Sequence, residues 1–341
     1  MPPDRPKYRR MPLEVAVFSP LSALQAQTQG ASRIELNAAG SYSVGGLTPS
    51  VSDLVTLKSN RDFKLPIHIM IRPRGAPEDG SQDFIYSDEE MAQMVQSMQD
   101  FKDAGVMNPF FGDGFVFGAI RESSGASDDE YDWDSDDEDK NKLRIDEHVC
   151  RTLLQAAKPF PCVFHRAFDS IAAAGRSSEG AELLLRLGFE GVLTAGGHGD
   201  TCCKQDNVDE IDRMCHRLAG RLNIAVGGGL RRHNVDPVAS QLAVYDDDTV
   251  WFHTSAVQVR DGVVTEDLDI DEVHGLINQY TDESRPFETT QTTRLSRPLI
   301  RPSSSVRHIT NQRSFGTIES RGWTEETQWC ASCKSAPIIR L

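Results

Sequence analysis

The chain has 341 residues, of which 38% are hydrophobic, and a formal net charge of -15. This length supports a large core with additional segments, while the acidic balance argues against nucleic acid as a partner. No stretch is long and apolar enough to span a bilayer, and residues 1–11 do not have the pattern of a secretory signal. Seven dispersed cysteines predict reduced thiols, so we expect a cytoplasmic protein, with the nucleus as a second location.

The composition divides the chain into three zones. Residues 12–281 alternate short apolar, β-rich runs with helical patterns, and they predict the folded domain. An acidic insertion interrupts this zone at about residues 122–142; from 128 to 139, nine of twelve residues are Asp or Glu. We expect residues 1–11 to be flexible, and residues 282–341, rich in Thr, Ser, Arg and Pro, to form a disordered tail.

Eight strand–helix units follow one another in the main zone. The predicted strands are Leu13–Phe18, Arg33–Ala38, Ile67–Pro73, Phe115–Ile120, Cys162–Phe168, Gly191–Ala195, Leu222–Val226 and Thr249–Val257. The predicted helices are Leu21–Gln29, Pro49–Ser59, Ser87–Ala104, Ile145–Ala157, Ser178–Leu187, Val208–Leu218, Val235–Leu242 and Ile270–Tyr280. Because no Gly-rich dinucleotide fingerprint follows the first strand, the pattern favours a closed (β/α)₈ TIM barrel, with the acidic insertion after strand four, over an open doubly wound sheet.

Polar residues lie inside or at the ends of these apolar strands, where the function of such a barrel collects. The acid–base candidates are Glu14, Glu35, His165 and Asp169. The ligand-binding candidates are His68, Arg72, Arg166, Thr194, Gly227, Gly228, His253 and Ser255. An internal ion-pair network that only fixes strand order would explain any one of them. For the whole set we favour a functional site, because buried charge clusters mark such sites.

A small anionic ligand is one expectation for this site. Gly227, Gly228 and Gly229 end the seventh strand beside the His253–Ser255 segment of the eighth, and these two loops bind phosphate in many barrels. Arg72 and Arg166 supply positive charge nearby. Glycines that merely relieve crowding at a strand end are an equally good explanation. No predicted strand contains lysine, so a Schiff-base mechanism is not expected.

A metal site is a second expectation. His198, Cys202 and Cys203 offer three donors for a soft metal within six residues of the loop after strand six. An ordinary loop with two free thiols is the favoured alternative, since adjacent cysteines are awkward joint ligands. Cys330 and Cys333 form a C-x-x-C pair in the tail, but no second pair follows, so we interpret them as incidental.

Seven short motifs occur in a recognisable order along residues 12–280. They are LEV (13–15), RIEL (33–36), GGLTP (45–49), IMIRPRG (69–75), FHRAFD (164–169), LTAGG (193–197) and HTSA (253–256). Together they resemble the serial motifs of the CutC family. The resemblance implies a TIM barrel, a homo-oligomer and a role in copper homeostasis, with Cu(I) as the bound ion.

Two residues depart from the family pattern. Family members commonly carry cysteine at the positions that Ala16 and Asn37 occupy here. Two thiols on adjacent strands would suit Cu(I), whereas alanine has no donor atom and an amide is a poor one. The expected function is therefore that of a CutC-like copper-homeostasis protein that binds copper. The alternative is a barrel enzyme that acts on a small anionic, for example phosphorylated, substrate by acid–base chemistry.

Overall fold

The structure, a computed structural model, describes residues 11–123, 143–197, 201–218, 220–246 and 249–279. The acidic run, the C-terminal tail, the first ten residues of the N terminus that we expect to be flexible, and His198 lie outside the described residues. Met11 is buried in the core. None of the described helices is long and apolar enough to cross a membrane.

The strands alternate with the helices as the sequence predicts. In chain order the strands are β1 (Leu13–Val17), β2 (Arg33–Leu36), β3 (Ile67–Met70), β4 (Gly114–Phe117), β5 (Ile120–Glu122), β6 (Leu143–Ile145), β7 (Cys162–Phe164), β8 (Gly191–Thr194), β9 (Asn223–Val226), β10 (Val250–Thr254), β11 (Val257–Arg260) and β12 (Val263–Leu268). The helices are α1 (Pro20–Gln29), α2 (Val51–Ser59), α3 (Asp88–Asp103), α4 (Glu147–Ala157), α5 (Phe168–Ala173), α6 (Ser177–Leu187), α7 (Gln205–Leu218), α8 (Val235–Leu242) and α9 (Ile270–Gln279).

Eight parallel strands close into one barrel, in the order β1-β10-β9-β8-β7-β4-β3-β2. This confirms the predicted TIM barrel. Alternation along β1 shows how the sequence produces it: Leu13, Val15 and Val17 belong to the core that packs under the helices, so Glu14 and Ala16 face the lumen. Helix ends follow local signals, as in α1, where the Ser19 side chain accepts the Ser22 N–H and Gly30 ends the helix at a φ of 98°.

The lumen has an apolar part and a polar part. Met70, Val116, Val163, Leu193 and Ala225 form a small apolar cluster inside the barrel, with Trp251 packed against it. The inward-facing positions of β1, β2 and of β10 beyond Trp251 carry mostly polar side chains instead. Because the interior of an eight-stranded barrel is filled by side chains or holds one small ligand, these polar groups must satisfy one another or a ligand.

All eight predicted strands run past the observed strand ends, and three of them continue into a further element. The run Cys162–Phe168 ends as a strand at Phe164, and Phe168 begins α5. The run Phe115–Ile120 ends at Phe117, and Ile120 belongs to an antiparallel β5–β6 hairpin. The run Thr249–Val257 ends at Thr254, and Val257 pairs in the β11–β12 hairpin. In each case the apolar pattern continues past the barrel rim because the added element is itself partly buried, and the pattern does not mark where the barrel strand ends.

Candidate functional site

A cavity of about 800 Å³ opens at the C-terminal ends of the barrel strands. Eight of the twelve sequence-predicted acid–base and ligand-binding residues line it: Glu35, Arg72, His165, Arg166, Asp169, Gly228, His253 and Ser255. The other four do not: Glu14, His68, Thr194 and Gly227. The structure therefore brings most of the candidates together at the mouth, and the rest lie behind its walls.

Glu14 is the centre of a buried charge network behind the cavity. Its Oε2 atom pairs with Nε of Arg33, and its Oε1 atom lies 2.7 Å from Nδ1 of His253. Burial alone would raise the pKa of Glu14, but the charge of Arg33 and the contact with His253 outweigh it and hold the pKa well below its usual range. Arg33 also stacks over the Trp251 ring, with its guanidinium carbon 4.1 Å from the ring centroid. Glu14 is thus a fixed carboxylate.

Glu35 differs from Glu14 in its partners. Its Oε1 atom accepts a hydrogen bond from Nδ2 of Asn37 at 3.1 Å, while its buried Oε2 atom has no partner among the described residues. Burial, with a further contribution from the charge of Glu14, raises the pKa of Glu35 above its ordinary value. Glu35 therefore ionises less readily than an exposed glutamate.

Two histidines are held in the neutral form. Burial and a neighbouring arginine, Arg33 for His68 and Arg72 for His165, lower both pKa values to about 3. Nδ1 of His165 accepts the N–H of Ala167 at 3.2 Å, which places the ring proton on Nε2. His165 therefore lines the cavity as a neutral imidazole whose available group is a donor.

Arg72 is immobilised at the rim. Its guanidinium donates to the carbonyls of Val44 and Gly46 and, at 2.7 Å, to Oδ2 of Asp83. The Phe84 ring lies under it, 4.9 Å from its guanidinium carbon. Its charge is paired and both Nη atoms are bonded, while the buried Nε has no partner among the described residues. Arg72 therefore shapes the wall more than it attracts an anion.

Asp169 lies at the first turn of α5 and joins two neighbouring βα loops. Its Oδ1 atom accepts the hydroxyl of Thr194 at 2.7 Å and the N–H of Ala195 at 2.8 Å. Its Oδ2 atom pairs with Nε of Arg166, also at 2.7 Å. Burial raises the pKa of Asp169. Thr194 therefore supports the site through Asp169 rather than by lining the cavity.

The glycines after β9 are required by packing. A Cβ at Gly227 would lie 2.7 Å from Cδ1 of Leu193, and one at Gly228 would lie 3.0 Å from Cβ of Ala195. Gly228 also has a φ of 114°, which L side chains rarely adopt. Avoidance of a steric clash explains why both positions carry glycine. At Gly228 the backbone therefore forms part of the cavity wall.

Arg231 is a cavity residue that sequence reasoning missed. Its Nη1 atom donates to the carbonyl of Leu230 at 2.8 Å and to the hydroxyl of Thr254 at 2.9 Å. Unlike Arg72 and Arg166, it has no carboxylate in its contacts among the described residues. Its signal in the sequence was its place directly after the Gly227–Leu230 run, in the same loop as the glycines.

Two groups of donors could hold a metal ion. Glu14, Glu35 and His253 are buried, and one donor atom from each lies within 4.8 Å of the others. On the loop after β8, Sγ of Cys202 lies 3.8 Å from Sγ of Cys203. The sequence predicts a soft-metal site made of His198, Cys202 and Cys203. The two cysteines lie close together, and His198 lies outside the described residues. Neither thiol lines the cavity.

Comparison with known proteins agrees with the motifs. The model of the CutC family matches residues 11–125 and 138–250. The human protein named copper homeostasis protein cutC homolog is 32% identical over 249 residues, which cover 73% of this chain and 74% of that protein. The Drosophila melanogaster homolog of that name is 31% identical over 245 residues, covering 72% of this chain and 77% of its own.

A bacterial relative and a solved structure extend the comparison. A CutC family protein of Xanthomonas axonopodis is 31% identical over 246 residues, covering 72% of this chain and 83% of that protein. A crystal structure of a CutC protein from Streptococcus agalactiae superposes with a TM-score of 0.53 at 22% identity, covering 72% of this chain and 98% of that one. That likeness supports the barrel fold.

Proposed function

This chain belongs to the CutC family, and on that premise we propose that it takes part in copper homeostasis, the role for which its human and fly relatives are named. We propose further that it holds Cu(I) through the thiols of Cys202 and Cys203. The observation that carries this assignment is the 3.8 Å separation of the two Sγ atoms in a loop after β8.

The barrel mouth itself does not fit a thiolate-bound Cu(I) ion. At the two positions where the family resemblance leads us to expect cysteine, the lining residues here are Ala16 and Asn37. Among the described residues that line the cavity, the sulfur atom is that of Met70 alone. Cu(I) selects soft thiolate and thioether donors, and one thioether among carboxylates and guanidinium groups is a poor set.

The Cys202–Cys203 pair is better suited. The hydrogen bond between the two thiols lowers the pKa of Cys203 to about 7, so part of this thiol is thiolate, the form that binds metal, at neutral pH. The same hydrogen bond, followed by burial, raises the pKa of Cys202. The N–H of Cys202 donates to the carbonyl of Gly228 at 2.9 Å, which fixes the loop against the end of β9.

The test is a titration of the reduced full-length protein with Cu(I) against a competing chelator. The double variant Cys202→Ser/Cys203→Ser should lose one equivalent of tightly bound Cu(I). The matched control is Cys330→Ser/Cys333→Ser, which removes the tail pair and should keep that equivalent. The reverse pattern, with binding lost only in the control, would assign copper to the tail and overturn the proposal.

A second candidate function rests on Arg231. Its uncompensated guanidinium shares the cavity with the backbone of Gly228 and with Arg166, a combination that favours a small anion. The same cavity holds Glu35, whose pKa is raised, and His165, which is neutral. A carboxylic acid and a neutral imidazole in one enclosure could transfer protons on such an anion, which is the chemistry of a barrel isomerase or lyase.

A further inference from the structure

The unpartnered oxygen of Glu35 requires an explanation. Glu35 is only 4% exposed, and its Oε2 atom has no hydrogen-bond partner among the described residues. The companion Oε1 atom is held by Asn37, so the carboxyl group is oriented rather than loose. A buried carboxylate oxygen without a partner is destabilising, and such an atom in a native structure commonly marks a missing ion or water.

Two further donors converge on the same place. One oxygen of Glu14, one of Glu35 and one ring nitrogen of His253 all lie within 4.8 Å of one another. The three come from β1, β2 and β10, which are neighbours in the barrel. The close approach therefore follows from strand register, in which Glu14 is the partner of His253 and Ala16 the partner of Glu35.

The Glu35 carboxyl group is the unsatisfied member of the cluster. Both oxygens of Glu14 have partners, Arg33 and His253, whereas Oε2 of Glu35 has none among the described residues. An uncompensated buried charge is costly, and proteins neutralise it with a proton or with a metal ion. If a proton neutralises the charge, the cluster is an ion-pair network. If a metal ion does so, the cluster is a binding site.

We infer that Glu14, Glu35 and His253 form a site for a divalent first-row transition cation at the floor of the mouth cavity. Two of the three, Glu35 and His253, line the cavity, so an ion can enter from solvent and keep an open coordination position facing the mouth. Three protein ligands with one open position are the arrangement of catalytic rather than structural sites. Carboxylate and imidazole donors suit such cations and suit Cu(I) poorly.

This site is independent of the proposed copper pair in position and in chemistry. Because thiols would also bind the metal used as a probe, they are removed first. The starting protein is the full-length chain with Cys202, Cys203, Cys330 and Cys333 each replaced by Ser. The probe is Co²⁺ alone, followed by its d–d absorption and by equilibrium dialysis. We expect one tightly bound Co²⁺ per chain, without a thiolate-to-cobalt charge-transfer band.

Two substitutions identify the ligands. Glu35→Gln, which keeps the shape of the side chain, should weaken Co²⁺ binding by more than the roughly 10–100-fold that loss of a supporting outer partner costs. The matched control Glu179→Gln removes one charge from an exposed ion pair and should leave binding unchanged. His253→Cys should introduce the missing charge-transfer band, because the new thiolate takes a ligand position; thermal unfolding of each variant checks that it is folded.

Several results would overturn the inference. They are no stoichiometric Co²⁺ binding by the starting protein, equal affinity in Glu35→Gln and in the control, or a folded His253→Cys protein whose spectrum matches that of the starting protein. The first result would show that the cluster is an ion-pair network neutralised by a proton. Either of the other two results would place the cation elsewhere, for instance on the acidic run. None of these results bears on Cu(I) binding by Cys202 and Cys203, so the two proposals can fail separately.

Discussion

Glu14 and His253 are register partners across the β1–β10 pair, and Nδ1 of His253 lies 2.7 Å from Oε1 of Glu14. Since β1 and β10 are the first and last strands of the barrel, this contact lies on the seam where the sheet closes. The charge of Glu35 and the hydrogen bond of Glu14 raise the pKa of His253 against the opposing effect of its burial. The seam is therefore joined by a charge-assisted hydrogen bond as well as by the backbone ladder.

Glu14→Gln should destabilise the barrel strongly. The substitution removes the buried partner of Arg33 and His253 and leaves their charges uncompensated, which typically costs about 3–5 kcal/mol. The free energy of unfolding, measured by urea denaturation, is the test. Glu179→Gln, which breaks an exposed pair with Arg176, should cost only about 0–1 kcal/mol. Equal losses in the two variants would show that the network contributes little.

Stability should fall as the pH is lowered through the range in which unfolded histidine becomes protonated. His68 and His165 titrate near 3 in the folded chain, against an ordinary value of 6.5. Between these values the unfolded state binds more protons, so their contribution is complete above about pH 6.5 and is lost progressively toward pH 3. Each histidine adds a slope approaching about 1.4 kcal/mol per pH unit.

His165→Asn tests that assignment, because the asparagine oxygen can still accept the Ala167 N–H. The free energy of unfolding, measured from pH 7 to pH 4, should fall less steeply in this variant than in the parent protein. His148→Asn, on the exposed face of α4, should keep the parent slope. If His165→Asn also kept the parent slope of the free energy of unfolding against pH, the acid sensitivity would belong to other groups.

Cysteine at positions 16 and 37 should create a copper site at the mouth. Ala16 and Asn37 both line the cavity, and two thiols there would add thiolate donors to the single Met70 thioether of the described lining. The double variant Ala16→Cys/Asn37→Cys should bind one more equivalent of Cu(I) than the parent when titrated against a chelator. Each single variant should bind less additional Cu(I) than the double variant. Equal additional binding in all three variants would argue against a shared site.

Arg231 should control anion binding. Its guanidinium faces the cavity without a carboxylate partner among the described contacts, so Arg231→Met should weaken binding of inorganic phosphate about tenfold or more, as expected for a lost charged hydrogen bond. Isothermal titration calorimetry measures this. The neighbouring Arg232→Met is the control, since Arg232 pairs with Glu272 and does not line the cavity. Identical affinities in both variants would remove the second candidate function.

The acidic run should be dispensable for folding. Nine acidic residues in twelve repel one another and cannot form a packed core. Residues 124–142 lie outside the described residues, but the flanking strands β5 and β6 pair with Ile120 opposite Ile145, both buried. Deletion of Ser123 to Asn141 with a short Gly-Ser replacement should leave the melting temperature nearly unchanged. A collapse of the fold would show that the run packs against the barrel.

Much of the site could be predicted because parity within a strand is a local property. His68, Met70 and Arg72 alternate along β3 and its extension, and the sequence was sufficient to place their side chains on one face. Strand parity predicts Asp169 at the end of a strand, whereas it lies on α5, lines the cavity and accepts a hydrogen bond from the Thr194 hydroxyl. The helix was missed because six residues give too short a pattern.

What the sequence determined by itself is the barrel and the inward direction of its polar residues, since alternation in a strand and the repeat of eight units depend only on neighbouring residues. What only the tertiary structure decided is which of those residues meet. Glu14 and Glu35 occupy similar positions in similar strands, yet register gives the first Arg33 and His253 and leaves an oxygen of the second without a partner. The opposite directions of their pKa shifts follow from burial and from charges on other strands, and no local pattern carries that information.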